Sequence, residues 1–343
     1  MHARFITRTF QFRFPAGTSR GVLHTKTSSF LLLSDNGLTG IGECSTIPAL
    51  SPDPEDRYIS KLEELCQQLN AGILPNEIEL DAFPSIRFGL ETAWLDLQNG
   101  GRHLLFPSDF TSGKQGIPIN GLIWMGDKDF MKDQISRKLN EGYRCLKLKV
   151  GALDFDTELL ILKEIRRQFS PDALEIRLDA NGAFTPEKAL IQLNTLSKYH
   201  VHSIEQPIRQ GQYETMQELC KLSPIPIALD EDLIAYPAER AGELLSRIHP
   251  AYIILKPSMI GGFVPAQHWI EAAESTGTGW WVTSALESNV GLNAIAQWTF
   301  TKNNPLPQGL GTGQLYHNNI QSPLQIRNSA LWYDTGENWE NIG

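Results

Sequence analysis

Residues 144–150, RCLKLKV, place Lys147 and Lys149 on one face of an extended chain and Leu146, Leu148 and Val150 on the other. Two faces of opposite character need two different neighbours. The texture recurs from residue 117 onward, in short apolar runs at 117–122, 144–150, 174–180, 202–206, 226–230, 251–256, 279–284 and 308–311. Helical stretches such as 155–169, 186–199 and 238–247 separate them. Strands alternating with helices of crossover length build a parallel sheet with right-handed connections. Eight such strands close into a barrel. The expected fold class is α/β, a (β/α)8 TIM-type barrel.

Upstream the pattern differs. Residues 2–14 and 28–43 read as strands, the second carrying an Asp35-Asn36-Gly37 turn signal, and 55–70 and 84–99 read as amphipathic helices. The expected organisation is an α+β capping domain over 1–112 and the barrel over 113–312. A C-terminal segment, 313–343, is too polar and tryptophan-dotted for another unit and is expected to pack back on the capping domain. A chain of 343 residues has room for this arrangement.

Composition narrows the function classes. An apolar share of 41% and a charged share of 20% are those of a globular protein. The net charge of -9, without a run of Lys or Arg, speaks against nucleic acid as a partner. Cys44, Cys66, Cys145 and Cys220 are scattered, with no CxxC pair, which suits reduced thiols in the cytoplasm. The opening MHARFITRTFQFRF has no continuous apolar segment, and no stretch of about 18 apolar residues follows, so no membrane partner is expected.

In a parallel barrel the active site lies at the C-terminal ends of the strands. Those ends carry, in order, Lys147 and Lys149, then Asp179 with Asn181 beyond it, Glu205, Asp230 and Lys256. By their numbers, 26, 25 and 26 residues separate Asp179, Glu205, Asp230 and Lys256, one βα unit each. Equivalent rims of adjacent strands therefore bring three carboxylates together with lysines beside them. Mutual repulsion calls for a cation, and oxygen-only ligands favour a hard ion such as Mg²⁺, or Mn²⁺ in its place. Such an array suits proton abstraction beside a carboxylate, which needs preorganised positive charge and a lysine base. Asp230 is chosen over its neighbour Glu231 because alternation with Ala228 points it inward.

Each feature alone has a plainer explanation. Lys-Leu-Lys also suits a solvated edge strand, and a strand-end acid also caps the following helix. Together, six charges on five consecutive strands would be buried without purpose, and desolvation makes that costly. The eight histidines show no HExxH or His-x-His pairing, which disfavours zinc hydrolysis. Gly261-Gly262 and the glycines of 309–313 fit tight turns as well as phosphate loops.

The segments KLK (147–149), LDANGAF (178–184), IEQP (204–207), LDED (229–232), LKPSMIGG (255–262), SALESNVG (284–291) and GLGTG (309–313) resemble the enolase superfamily along nearly the whole chain. The resemblance implies a capping domain on a modified barrel. Lys-x-Lys with a later lysine resembles the muconate-lactonising subgroup, and the last two segments most resemble the o-succinylbenzoate synthases. Family membership would make Asp179, Glu205 and Asp230 the Mg²⁺ ligands and Lys149 the base and returning acid. It would make Lys256 the stabilising cation on the opposite face, with Lys147 assisting. The implied reaction dehydrates 2-succinyl-6-hydroxy-2,4-cyclohexadiene-1-carboxylate to o-succinylbenzoate through an enediolate, a step toward menaquinone. The alternative is an N-succinylamino acid racemase, or another racemase or cycloisomerase with the same lysine pair. Dipeptide epimerases of the subgroup carry Asp-x-Asp on the eighth strand, where this chain has Gly-Leu-Gly-Thr-Gly. Capping loops at 14–21 and 46–52 are expected to set specificity. Ser19 and Arg20 are candidates for the succinyl carboxylate, and Asn181, Ser284 and the backbone around Gly311 for other polar groups of the small carboxylate substrate.

Overall fold

The structure of the chain, a computed structural model, describes residues 1–18, 21–124, 127–151 and 153–342. Its N-terminal body is an antiparallel sheet of β1 (His2–Thr18), β2 (Gly21–Asp35) and β3 (Leu38–Ser45), covered by α1 (Tyr58–Asn70) and α2 (Pro84–Gln98). The stretch 28–43, expected as one strand with a turn signal, is two strands joined at Asn36-Gly37, both with positive φ (49° and 79°). Residues 14–18, expected in a loop, continue β1. Close packing of α2 on β3 depends on glycine: a Cβ at Gly42 would lie 1.9 Å from Gly89 O, and one at Gly40 2.2 Å from Ala93 O.

The barrel follows. Its elements are β4 (Ile117–Pro118), β5 (Gly121–Ile123), α3 (Lys128–Asn140), β6 (Cys145–Lys149), α4 (Phe155–Gln168), β7 (Glu175–Asp179), α5 (Pro186–Leu196), β8 (Ser203–Glu205), α6 (Tyr213–Leu222), β9 (Ile227–Leu229), α7 (Ala241–Ile248), β10 (Tyr252–Leu255), α8 (Phe263–Thr276), β11 (Gly279–Val282) and α9 (Asn289–Phe300). Strands β5 to β11 form one parallel sheet in chain order. Aliphatic residues of the strands and of the helix faces outside them share one large core, including Leu146, Leu148, Ile176, Ile204 and Leu255.

Two expected strands differ. The run 117–122 is broken at Ile119-Asn120, so that β4 and β5 serve different sheets. The run 308–311 narrows to single bridges: Gln308 pairs with Ile119 and Gly309 with Thr283, which links the edge strands and closes the ring. Glycine weakens a strand, and at Thr312 the chain already enters a 3-10 turn. The last residues form a hairpin, β12 (Leu324–Arg327) and β13 (Ala330–Tyr333), whose second strand pairs with β4. Before it, residues 315–318 run beside β1, with Arg13 N donating to Leu315 O at 2.8 Å and His317 N to Gln11 O at 2.9 Å. Among the described residues, no helix is long and apolar enough to cross a membrane.

Candidate active site

Strand register assembles the charged residues. Lys149 pairs with Asp179 and Asp179 with Glu205 across β6, β7 and β8, so three strand ends carry their charges side by side. Asp230 follows β9 and Lys256 follows β10. Lys147 Nζ lies 2.5 Å from Glu205 Oε2 and 3.1 Å from Asp179 Oδ2, and Lys149 Nζ lies 3.2 Å from Asp179 Oδ2. Lys256 Nζ contacts Asp230 Oδ2. All six expected charges therefore meet, with Lys149 and Lys256 separated by strands β7 to β9.

Burial and mutual charge set the protonation of this cluster. For Lys147, burial disfavours the ammonium, but Asp179, Glu205 and Asp230 outweigh it and raise the pKa. Lys256 is likewise raised, burial being overcome by Asp230, Glu205 and Glu231. Asp179 is pulled down: burial opposes ionisation, and Lys147, Lys149 and Lys256 prevail. Glu205 goes the other way, because burial and the negative charge of Asp179 exceed the help of Lys147. Glu205 is short of positive charge.

Two oxygens show the same shortage. Glu205 Oε1 and Asp230 Oδ1 are buried and meet no hydrogen-bond donor among the described residues. The lysine ammoniums stand between the acids, and among the described residues no three acidic, histidine or cysteine side chains are grouped tightly enough to share an ion as they stand. Buried oxygen acceptors without donors nevertheless match what a hard divalent cation takes as ligands.

The pocket over these charges is about 100 Å³ and reaches Lys147, Lys149, Asp179, Asn181 and Lys256. Asn181, held at φ 43°, accepts from Lys149 Nζ through Oδ1 and donates to Glu231 Oε1 at 3.1 Å. Its amide is thus committed to orienting Lys149. Ser284 reaches the pocket, but its hydroxyl shares a hydrogen bond with that of Thr312. Gly311 also borders it. Ser19 and Arg20 lie outside the described residues. The 46–52 segment contributes Ile47 and Leu50, and β5 with the residue after it contributes Leu122 and Trp124.

Several contributors were not singled out in the sequence. Gln206, at φ 40°, accepts from Asp230 N and Asp232 N through Oε1, which fixes the backbone that carries Asp230. Its signal was the IEQP segment itself. Glu231, set aside in favour of Asp230 as a metal ligand, is buried and holds Asn181. Lys26 on β2 donates to Ser45 Oγ and to the carbonyls of Ala285 and Leu286, at 3.1 and 2.7 Å, tying the capping sheet to the pocket wall. Glu43 on β3 accepts from Ser288 N, Ser288 Oγ and Gly291 N at the start of α9. Neither carries a motif that marks it out.

Residues 131–336 match the family described as Enolase C-terminal domain-like. The o-succinylbenzoate synthase of Desulfotalea psychrophila is 51% identical over 93% of this chain and 95% of its own length. The crystal structure of MenC from Desulfotalea psychrophila LSv54 superposes with a TM-score of 0.88 at 46% identity, covering 97% of this chain and 99% of that one. The o-succinylbenzoate synthase of Thermosynechococcus elongatus BP-1, solved with Mg in the active site, shares the fold at a TM-score of 0.75 and 24% identity, over 92% and 94% of the two chains. The capped barrel and near-full-length identity lead to one conclusion: the chain belongs to the o-succinylbenzoate synthase family of the enolase superfamily.

Proposed function

We propose that the chain dehydrates 2-succinyl-6-hydroxy-2,4-cyclohexadiene-1-carboxylate to o-succinylbenzoate in menaquinone biosynthesis, working in the cytoplasm, where its four free cysteines stay reduced. The observation that carries this is the 51% identity to an o-succinylbenzoate synthase over 93% of the chain. Asp179, Glu205 and Asp230 would hold Mg²⁺, or Mn²⁺ in its place; the donorless oxygens of Glu205 and Asp230 support this. When bound, the ion supplies positive charge that offsets charge developing on the substrate carboxylate.

The lysines carry the protons. Lys149, as the free amine, takes the proton from the ring carbon beside the carboxylate through Nζ. Electrons of that C–H bond move into the ring, the C–O bond breaks, and Lys149 returns the proton to the leaving hydroxyl as water departs. Asn181 Oδ1 and Asp179 fix Nζ for both transfers. Lys256, across the barrel mouth, presents its ammonium to the other face of the forming aromatic ring. Lys147 adds positive charge between Asp179 and Glu205.

Purified protein with Mg²⁺ is expected to form o-succinylbenzoate from this substrate and to stop when a chelator is added. Absence of product with the metal present overturns the reading. Lysines on opposite sides of the pocket also suit two-face proton exchange, so an N-succinylamino acid run in parallel, with loss of optical rotation as readout, tests racemisation by the same site.

A further inference from the structure

A second cavity of about 410 Å³ lies against the catalytic pocket. The two share Asn120, Leu122, Trp124 and Gly311 as a common wall. This is where the ring is thinnest: beyond Gly309 the chain leaves the strand path, and β5 has no continuous partner on that side. The catalytic pocket alone, about 100 Å³, is smaller than the roughly 300–1,000 Å³ of most small-molecule sites. The neighbouring cavity alone lies inside that range.

Asn120 is the unusual member of the shared wall. It is 4% exposed, and its Oδ1 is buried without a hydrogen-bond donor among the described residues. Leaving such an acceptor unpaired is unfavourable, so it is a group waiting for a ligand or a defect. Rotated by half a turn, the amide offers Nδ2 in place of Oδ1, so it can donate to a carbonyl as well as accept. The second cavity is also cationic. Lys138 is neutralised by Glu141 at 2.9 Å. Arg13 and Arg137 direct Nε to backbone carbonyls, of Tyr316 and Asp133, and among the described residues neither pairs with a carboxylate. By contrast, every lysine of the catalytic pocket is already matched to an acid.

Resting on the function proposed above, the substrate brings two carboxylates, one on the ring and one at the end of a four-carbon oxo side arm. The catalytic lysines and acids account for the first. We infer that the second cavity receives the side arm, with Asn120 hydrogen-bonded to its polar atoms at the shared wall and Arg13 and Arg137 paired with its terminal carboxylate. Arginine suits this because its planar fork meets a carboxylate through two donors.

The test uses the Mg²⁺-loaded full chain and two readouts: steady-state kinetics, and the affinities of o-succinylbenzoate and of benzoate, which lacks the arm. Arg13 and Arg137 are exposed, so Arg13→Gln and Arg137→Gln are expected to keep the fold. Each is expected to raise KM about tenfold, more than kcat falls, and to weaken o-succinylbenzoate to the same degree without moving benzoate. Asn120→Leu is expected to raise KM similarly while the melting temperature holds or rises, since an unpaired polar group has been replaced by an apolar one. Unchanged o-succinylbenzoate affinity in both arginine variants, or equal weakening of benzoate, overturns the subsite. If the unaltered protein forms no product, the reading of the reaction fails instead, and the binding comparison still decides whether the cavity takes the arm.

Discussion

Two clusters of buried charge lie within one pocket's width of each other and are built on opposite plans. At the join of cap and barrel, Lys26 faces Glu287 and Glu43, and every group is matched. Lys26 has three acceptors, Glu43 takes three donors, and Glu287 takes Ser258 Oγ and Ala285 N on its two oxygens. At the strand ends, three lysines face three acids, yet Glu205 Oε1 and Asp230 Oδ1 have no donor. A saturated cluster holds two bodies in place, because any change leaves a buried charge exposed to no compensation. An unsaturated one is incomplete without a ligand. The difference distinguishes a fastening from a site more sharply than burial or charge does, since both clusters are buried and ionic.

The largest expected effect is on catalysis without a cost in stability. Lys149→Ala should lower kcat about a thousandfold or more, the loss of a positioned general base, with the melting temperature nearly unchanged. A variant that keeps turnover removes Lys149 from the base role. In the saturated cluster the signs reverse: Lys26→Met leaves the Ala285 and Leu286 carbonyls without their donor and removes the positive charge that acts on Glu287 and Glu43, and it should cost about 3–5 kcal/mol in denaturant unfolding. If Lys26→Met melts like the parent protein, that cluster is not the fastening described here.

A third variant probes the incompleteness directly. Glu205 is already pushed toward its neutral form by burial and by Asp179. Glu205→Gln should therefore leave the metal-free protein as stable as before, or more so. What it should lose is stabilisation by Mg²⁺, about 2.7 kcal/mol at a hundredfold excess over Kd in the parent protein. A full Mg²⁺-induced thermal shift in Glu205→Gln would remove Glu205 from the ligand set.

These contrasts also mark what the sequence could reveal. Regular 25- and 26-residue intervals made the meeting of Asp179, Glu205, Asp230 and Lys256 legible, because each βα unit returns the chain to the same rim. Alternation in RCLKLKV likewise predicted which lysines share a face. Lys26 and Glu43 were silent for the complementary reason: their partners in the barrel are 245 to 260 residues away, and no period links a cap strand to a barrel loop. The eighth strand was over-read because Gly309 and Gly311 interrupt pairing that the apolar pattern suggests. Asn120 had no signal at all, since an unpaired amide is recognisable only once its surroundings are known.

The smallest effect tests whether an unpaired oxygen outside the pocket behaves as the comparison requires. Asp53, in the capping region, spends Oδ1 on Ser85 N and Ser85 Oγ, while Oδ2 is buried without a donor. Burial lifts its pKa from 3.8 to about 6, against the pull of the Ser85 hydrogen bonds. The folded chain therefore holds this proton more tightly than the unfolded chain does. Stability associated with Asp53 is complete below about pH 4 and is lost as pH rises through about 6. Asp53→Asn keeps an acceptor for Ser85 and removes the charge. It should match the parent at pH 4 and exceed it by about 1–3 kcal/mol at pH 8, with turnover unchanged because Asp53 does not border the pocket. A gain at pH 4 equal to that at pH 8 would mean that the unpaired charge is not its source. Lost turnover would mean that this unpaired oxygen, too, belongs to the site.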